Sequence, residues 1–133
     1  MHNIHLAHLD LKPENVLVVS RLEWLPHIKV IDFGLSQWLD ETGADVKTVF
    51  GTPEFVAPEV VNYDSLSLAT DMWSIGVITY ILLSGASPFL GETKQETYSN
   101  VVNGTFSFDR EYLNQSAKMP KISFVDCSLR IQG

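Results

Sequence analysis

One cysteine, Cys127, stands among the 133 residues, so no disulfide can form within the chain, and a lone thiol without clustered His or Cys offers no zinc site. That shortage points to a reducing setting, the cytoplasm or the nucleus. Cationic side chains are also few: nine Lys and Arg face 16 Asp and Glu, a net charge of −7. Such a balance argues against a sequence-independent grip on nucleic-acid phosphates or anionic lipid and favours cationic or neutral partners. No apolar run approaches a bilayer span. The longest uncharged stretch, residues 72–90, is broken by Ser74, Gly76, Ser84, Gly85, Ser87 and Pro88, and its unbroken part, residues 77–83, holds Thr79 and Tyr80. It reads as a buried core helix rather than a membrane helix. The N-terminus lacks a basic flank followed by an apolar run and a small-residue cleavage site, so no signal peptide is expected. Internal repeats and low-complexity segments are absent as well.

What is present suffices for one globular domain, since 45% of the residues are apolar and the aromatics are spread along the chain. Two short β-branched runs, residues 15–19 and 27–31, read as a hairpin joined by a loop over residues 20–26. Residues 35–49 are polar and mixed in charge around Gly43, as expected of a surface loop. Thr70-Asp71 supplies a helix N-cap signal; Met72, Ile75, Ile78, Thr79 and Leu82 then recur at helical spacing until Gly85. That helix is apolar nearly all round and is expected to be central. A second, more amphipathic helix is predicted over residues 93–102, stopped by Asn103-Gly104.

The chemistry sits at the two ends of the hairpin. His8-Leu9-Asp10-Leu11-Lys12-Pro13-Glu14-Asn15 precedes it and Asp32-Phe33-Gly34 follows it. Folding the hairpin back brings the carboxylates of Asp10 and Asp32, the amide oxygen of Asn15 and the ammonium of Lys12 to one pocket edge. Phosphoryl transfer needs this set: a base to orient the attacking hydroxyl, oxygen ligands for Mg²⁺, and a cation on the transferring phosphate. Asp10 by itself reads as a turn residue; in company with Lys12, Asn15 and Asp32 that reading loses.

These residues resemble the protein kinases, whose catalytic loop of the form H-R-D-x-x-x-x-N is followed by D-F-G and A-P-E. Ala57-Pro58-Glu59 and Asp71-Met72-Trp73-Ser74-Ile75-Gly76 continue the match in family order. The resemblance implies a protein-kinase-like α+β fold: a C-terminal-lobe fragment, mainly α-helical, with a small β-hairpin at the active-site cleft. It implies ATP and Mg²⁺ as cofactors and protein substrates bearing Ser or Thr. By it Asp10 is the base, Lys12 neutralises the γ-phosphate, and Asn15 and Asp32 hold the metal and cofactor. Thr52 hydrogen-bonds toward Asp10 and Lys12, although by itself it is a turn residue. His8, Gly34, Glu59 and Asp71 are structural supports; the resemblance implies that Asp71 hydrogen-bonds the catalytic-loop backbone, while by itself it reads as an ordinary N-cap, and both roles are compatible. Lys12 followed by Pro13-Glu14, with Gly51-Thr52-Pro53-Glu54, looks like serine/threonine rather than tyrosine kinases. Glu14 resembles the acid that meets a basic substrate residue in many relatives, so Arg or Lys upstream of the target hydroxyl is expected. Leu9, the run from Gly51 to Tyr63, the run from Trp73 to Gly85, Ser87-Pro88-Phe89-Leu90-Gly91 and Lys94-Gln95-Glu96-Thr97 carry a closer resemblance. It is to death-associated protein kinases and their myosin light-chain kinase relatives in the calmodulin-dependent group.

The resemblance covers residues 1–116, a partial kinase domain, and residues 117–133 read as a divergent or truncated tail. No glycine-rich loop, strand lysine or helix glutamate lies upstream of His8, so the chain is expected to be a fragment, inactive alone. Pro120 would break the helix that relatives continue, while Arg130 echoes the family arginine that pairs with Glu59. Any calmodulin-binding segment would lie beyond Gly133. Two other outcomes compete with a kinase fragment: a non-catalytic protein-binding module or decoy, and an unstable product exposing apolar surface. Leu9 stands where most kinases carry the Arg that binds an activation-loop phosphate, so the segment from Asp32 to Glu59 lacks its usual phosphate anchor. Alanine at Thr42 and Thr48 in a complete catalytic domain is therefore expected to leave the rate near its starting value. A fall of about a hundredfold, roughly 2.7 kcal/mol of barrier, would refute this.

Overall fold

The computed structural model describes residues 1–20, 27–39, 45 and 49–106. Its elements, in chain order, are strands β1 (Leu6–Ala7), β2 (Val16–Ser20), β3 (His27–Val30) and β4 (Gln37–Trp38), then helices α1 (Pro58–Val61), α2 (Leu68–Ser84) and α3 (Lys94–Asn103). Single 3₁₀ turns occupy His2–Ile4 and Pro13–Asn15. Helices after a small set of antiparallel pairs give the α+β order expected.

β2 and β3 pair antiparallel, with Val16 opposite Val30, Leu17 opposite Lys29 and Val18 opposite Ile28. The β-branched residues that predicted the hairpin form it, within one residue at each end. The loop expected between the strands lies outside the described residues except for Ser20. The second pair was not expected: β1 and β4 join Leu6 to Trp38 and Ala7 to Gln37, and β4 lies in the stretch read as surface loop. Two residues carry too little alternation to be seen, and the pairing is imposed by Ala7, which is fully buried, and by Leu39, whose N–H donates to His5 O at 2.8 Å.

α2 corrects the expected N-cap. The cap is Ser67, whose Oγ accepts from Ala69 N at 3.2 Å while Ser67 N donates to Thr70 Oγ1 at 3.3 Å. The helix thus starts before Thr70-Asp71, and Asp71 turns inward from its first turn instead of capping it. Gly85 ends the helix as predicted, in the left-handed conformation with φ 78° and its N–H on Ile81 O at 2.8 Å. α3 is capped by Thr93 and stopped by Gly104, also as predicted.

Two apolar clusters hold these parts. Ala7, Leu9, Leu39, Val56, Ala57, Val60 and Leu66 form one; Phe55, Val77, Ile78, Ile81, Phe89 and Val101 form the other. α2 serves both, since Trp73 packs against each. Its buried face is Thr70, Asp71, Ser74, Val77, Ile78 and Ile81, so only Ile78 of the expected stripe is buried. Met72, Ile75 and Leu83 are exposed, which corrects the expectation of a helix central on every side. A helix apolar all round gives no period from which to choose its inner face. No helix among the described residues is long and apolar enough to cross a membrane.

Leu66, 1% exposed, and Leu83, 52% exposed, test the arrangement. Leu66→Ala is expected to destabilise by about 2–5 kcal/mol through lost burial and a residual cavity, and Leu83→Ala by about 0.5 kcal/mol or less. Denaturant midpoints for the two variants check the contrast; equal shifts would contradict it.

Candidate active site

The catalytic-loop residues are held from below by one carboxylate. Asp71, 1% exposed, accepts His8 N on Oδ2 and Leu9 N on Oδ1, both at 2.8 Å. Its Oδ2 also meets His2 Nε2 at 2.9 Å. Leu9 is left-handed at φ 67°, unusual for a residue with a branched side chain. That backbone bend sends Leu9 into the apolar cluster with Val56, Ala57 and Val60, while the Asp10 side chain, 11% exposed, pairs with Lys12.

Asp10 Oδ2 is engaged twice, by Lys12 Nζ at 2.9 Å and Asn15 Nδ2 at 3.2 Å. Asn15 Nδ2 also donates to Asp10 O at 2.9 Å. The amide therefore turns its nitrogen toward Asp10, and its oxygen is left without a hydrogen bond among the described residues. Lys12 Nζ reaches Thr52 Oγ1 at 3.2 Å. Thr52 thus contacts Lys12 as expected, while no bond from Thr52 to Asp10 is present. Gly51 is left-handed at φ 86°, and a Cβ there would stand 3.7 Å from Asp10 Oδ1. Glycine suits the backbone that closes this side of the site.

Asp32 adjoins the cluster only through its main-chain neighbour, and its carboxylate makes no hydrogen bond to Asp10, Lys12 or Asn15. Ile31 N donates to Asn15 O at 2.9 Å, and Asp32 follows with φ 60°, a conformation that Asp tolerates better than most residues. Gly34 N donates to Asp32 Oδ1 at 3.2 Å, and a Cβ on Gly34 would lie 3.1 Å from that oxygen, so a side chain there would crowd the carboxylate.

His8 binds the two halves together. Its Nδ1 accepts from Asp10 N at 3.3 Å, which assigns the ring proton to Nε2, the donor to Ile31 O at 3.0 Å. The ring is fully buried and lies 4.9 Å from the Phe33 ring. The expectation that His8 supports the loop without doing chemistry fits this placement, since both ring nitrogens are spent on main chain. Glu14 is exposed on the Pro13–Asn15 turn. Glu59 Oε1 accepts from Thr70 Oγ1 at 2.7 Å. Its expected partner Arg130 lies outside the described residues.

Two contacts were invisible in the sequence: His2 with Asp71, 69 residues apart, and Ser36 Oγ with His8 O at 3.3 Å. Neither residue belongs to a spaced motif, so no signal could have found them.

The oxygen donors suit a hard divalent cation. Asn15 carries an amide oxygen and Asp32 a carboxylate, the donor types that such a cation takes; no group of three or more His, Cys, Asp or Glu able to hold a metal occurs among the described residues. A sparse protein donor set completed by phosphate and water is how Mg²⁺ is usually bound.

The ordered motifs and their α+β frame are those of a protein kinase domain, and comparison with known proteins shows the family. The protein kinase domain family matches residues 1–129, and the chain belongs to it. That match runs through the segment read as a divergent tail. The chain is similar to death-associated protein kinase 2 of Homo sapiens and of Mus musculus, each 55% identical over 121 residues, 91% of this chain and 32% of the relative. It is also similar to death-associated protein kinase dapk-1 of Caenorhabditis elegans, 54% identical over 121 residues, 91% of this chain and 8% of that protein. The chain thus spans about a third or less of these relatives' length.

Replacing Asp71 tests the base of the site. In Asp71→Asn the carboxylate charge is lost, and one of the two loop N–H groups meets an amide N–H₂ where it had an acceptor. The expected destabilisation is about 2–4 kcal/mol, read from the urea midpoint. A shift below about 0.5 kcal/mol, the range of ordinary surface substitutions, would contradict the hydrogen bonding described.

Proposed function

We propose that this chain carries the phosphoryl-transfer residues of a serine/threonine protein kinase of the death-associated type. The reaction moves the γ-phosphate of ATP to a Ser or Thr hydroxyl of a protein substrate. The observation that carries the reading is the division of labour at Asp10: Oδ2 is held by Lys12 and Asn15, while Oδ1 has no hydrogen bond among the described residues. A carboxylate so oriented can accept the proton of an attacking hydroxyl. Asn15 and Asp32 would hold Mg²⁺, which when bound neutralises charge on the phosphates. Lys12, drawn toward Asp10 and Thr52, would place its ammonium near the transferring group, and Thr52 steadies that lysine.

The hydroxyl specificity rests on Lys12 and on the Gly51-Thr52-Pro53-Glu54 run, and exposed Glu14 favours substrates with Arg or Lys upstream of the target. The lone thiol and acidic balance fit a reducing compartment, cytoplasmic or nuclear. Leu9, buried with Val56, Ala57 and Val60, supports activity without activation-segment phosphorylation, because packing occupies the place of a phosphate-binding cation.

A second reading, a non-catalytic module that presents a binding surface, is favoured by one feature. Leu17, Val19, Ile28 and Phe33 are exposed, although side chains of this kind are usually covered. The two readings part on catalysis in the full-length protein. With Mg²⁺, ATP and a peptide bearing Arg upstream of Ser, Asp10→Asn is expected to lower kcat by about 10²–10⁴-fold, the range for loss of a general base. The Ser-to-Tyr peptide should be a poor substrate, and Glu14→Ala should raise KM for the Arg-bearing peptide. Phosphorylation that survives Asp10→Asn unchanged would sink the catalytic assignment and leave the binding module.

A further inference from the structure

Besides the Ile31 N–H on Asn15 O, the Asp32-Phe33-Gly34 turn and its flanks touch the catalytic loop at three points, and two of them belong to the His8 ring: Nε2 on Ile31 O and the tilted packing against the Phe33 ring. The third is independent of that ring. Ser36 N donates to Phe33 O at 3.1 Å, closing the turn, and Ser36 Oγ donates to the carbonyl of His8 at 3.3 Å, across 28 residues of sequence. The same residue therefore seals the turn that carries Asp32 and ties it to the loop that carries Asp10. His8 cannot yield to accommodate a looser turn, because its N–H is held by the buried Asp71 and the residue is fully buried. After Ser36 the chain enters β4, whose pairing with β1 fixes Gln37 and Trp38. Asp32 is thus suspended between two restraints, the Ile31 N–H on Asn15 O before it and Ser36 after it. On the near side the tie to the catalytic loop is main chain; on the far side it is one side-chain hydroxyl, with the β1–β4 pairing beyond it.

We infer that Ser36 is a positioning residue: its hydroxyl latches the turn to the catalytic loop and so sets where the Asp32 carboxylate stands relative to Asn15. The inference rests on the kinase reading for its consequence, a cation shared by Asp32 and Asn15, and on geometry alone for the latch. At 3.3 Å the bond is long, so its removal changes a constant by about three- to tenfold and does not abolish function. Threonine keeps the hydroxyl and suits the entry to a strand, so Ser36→Thr retains the latch and Ser36→Ala removes it.

The experiment uses the full-length protein and two readouts. Amide hydrogen exchange over residues 31–37, measured without nucleotide or metal, is expected to quicken about three- to tenfold in Ser36→Ala and to stay near the starting rate in Ser36→Thr. Equal exchange in all three proteins overturns the latch, as does equal quickening in both variants. The Mg²⁺ concentration giving half-maximal peptide phosphorylation should rise by a similar factor in Ser36→Ala, with a smaller change in kcat at saturating Mg²⁺ and recovery in Ser36→Thr. A fall in kcat with no change in Mg²⁺ dependence overturns the positioning role. If the unsubstituted full-length protein transfers no phosphate, the kinase reading fails, and exchange still decides the latch.

Discussion

The carboxylate of Asp71, buried in the first turn of α2, is the contact on which the rest of the site depends. A charge removed from water is costly unless hydrogen bonds replace its hydration. Here the replacements are the N–H groups of His8 and Leu9 and the His2 ring, with the helix N-terminus adding a favourable field. The exchange works in both directions. Leu9 in a left-handed conformation costs on the order of 1–2 kcal/mol, and a hydrogen bond to a charged acceptor returns a similar amount, about 1.5–3 kcal/mol. The loop is bent because the helix holds it bent.

From that anchor the constraint passes to the chemistry by short steps. Bending at Leu9 puts an apolar side chain into the cluster with Val56, Ala57 and Val60 and frees Asp10 for the polar side. His8, pinned through its N–H, uses its ring to carry the position across to Ile31 and Phe33, so the Asp32 turn is located relative to Asp10. Thr52 and Gly51 close the other flank, one through Lys12 and the other by having no side chain beside Asp10. The same helix thus sets the loop at its N-terminal turn and builds the second apolar cluster with Val77, Ile78 and Ile81 further along.

Packing stands in place of charge at Leu9. Where a phosphate-binding cation would bridge the catalytic loop to the following segment, Leu9 instead shares a buried cluster with residues flanking the Ala57-Pro58-Glu59 turn. Apolar contact of this sort does not depend on a modification and is little affected by salt, whereas an ion pair to a phosphate depends on both.

Much of this was legible in the residues themselves. The hairpin followed from Val16, Val18, Ile28 and Val30, the helix stops from Gly85 and Gly104, and the meeting of Asp10, Lys12 and Asn15 from their spacing before β2. These are local properties: turn chemistry, side-chain branching and short loops act over a few residues and leave their mark in order and period. The start of α2 was misread because Asp71 resembles a cap; that its carboxylate meets the catalytic-loop backbone was implied by the family resemblance alone, and the fold shows the groups it accepts from, the N–H of His8 and of Leu9, more than 60 positions away. The inner face of α2, the β1–β4 pair, and the contacts of His2 and Ser36 were likewise settled by tertiary structure. Each depends on which distant groups arrive beside a side chain, and neither composition nor periodicity carries that information.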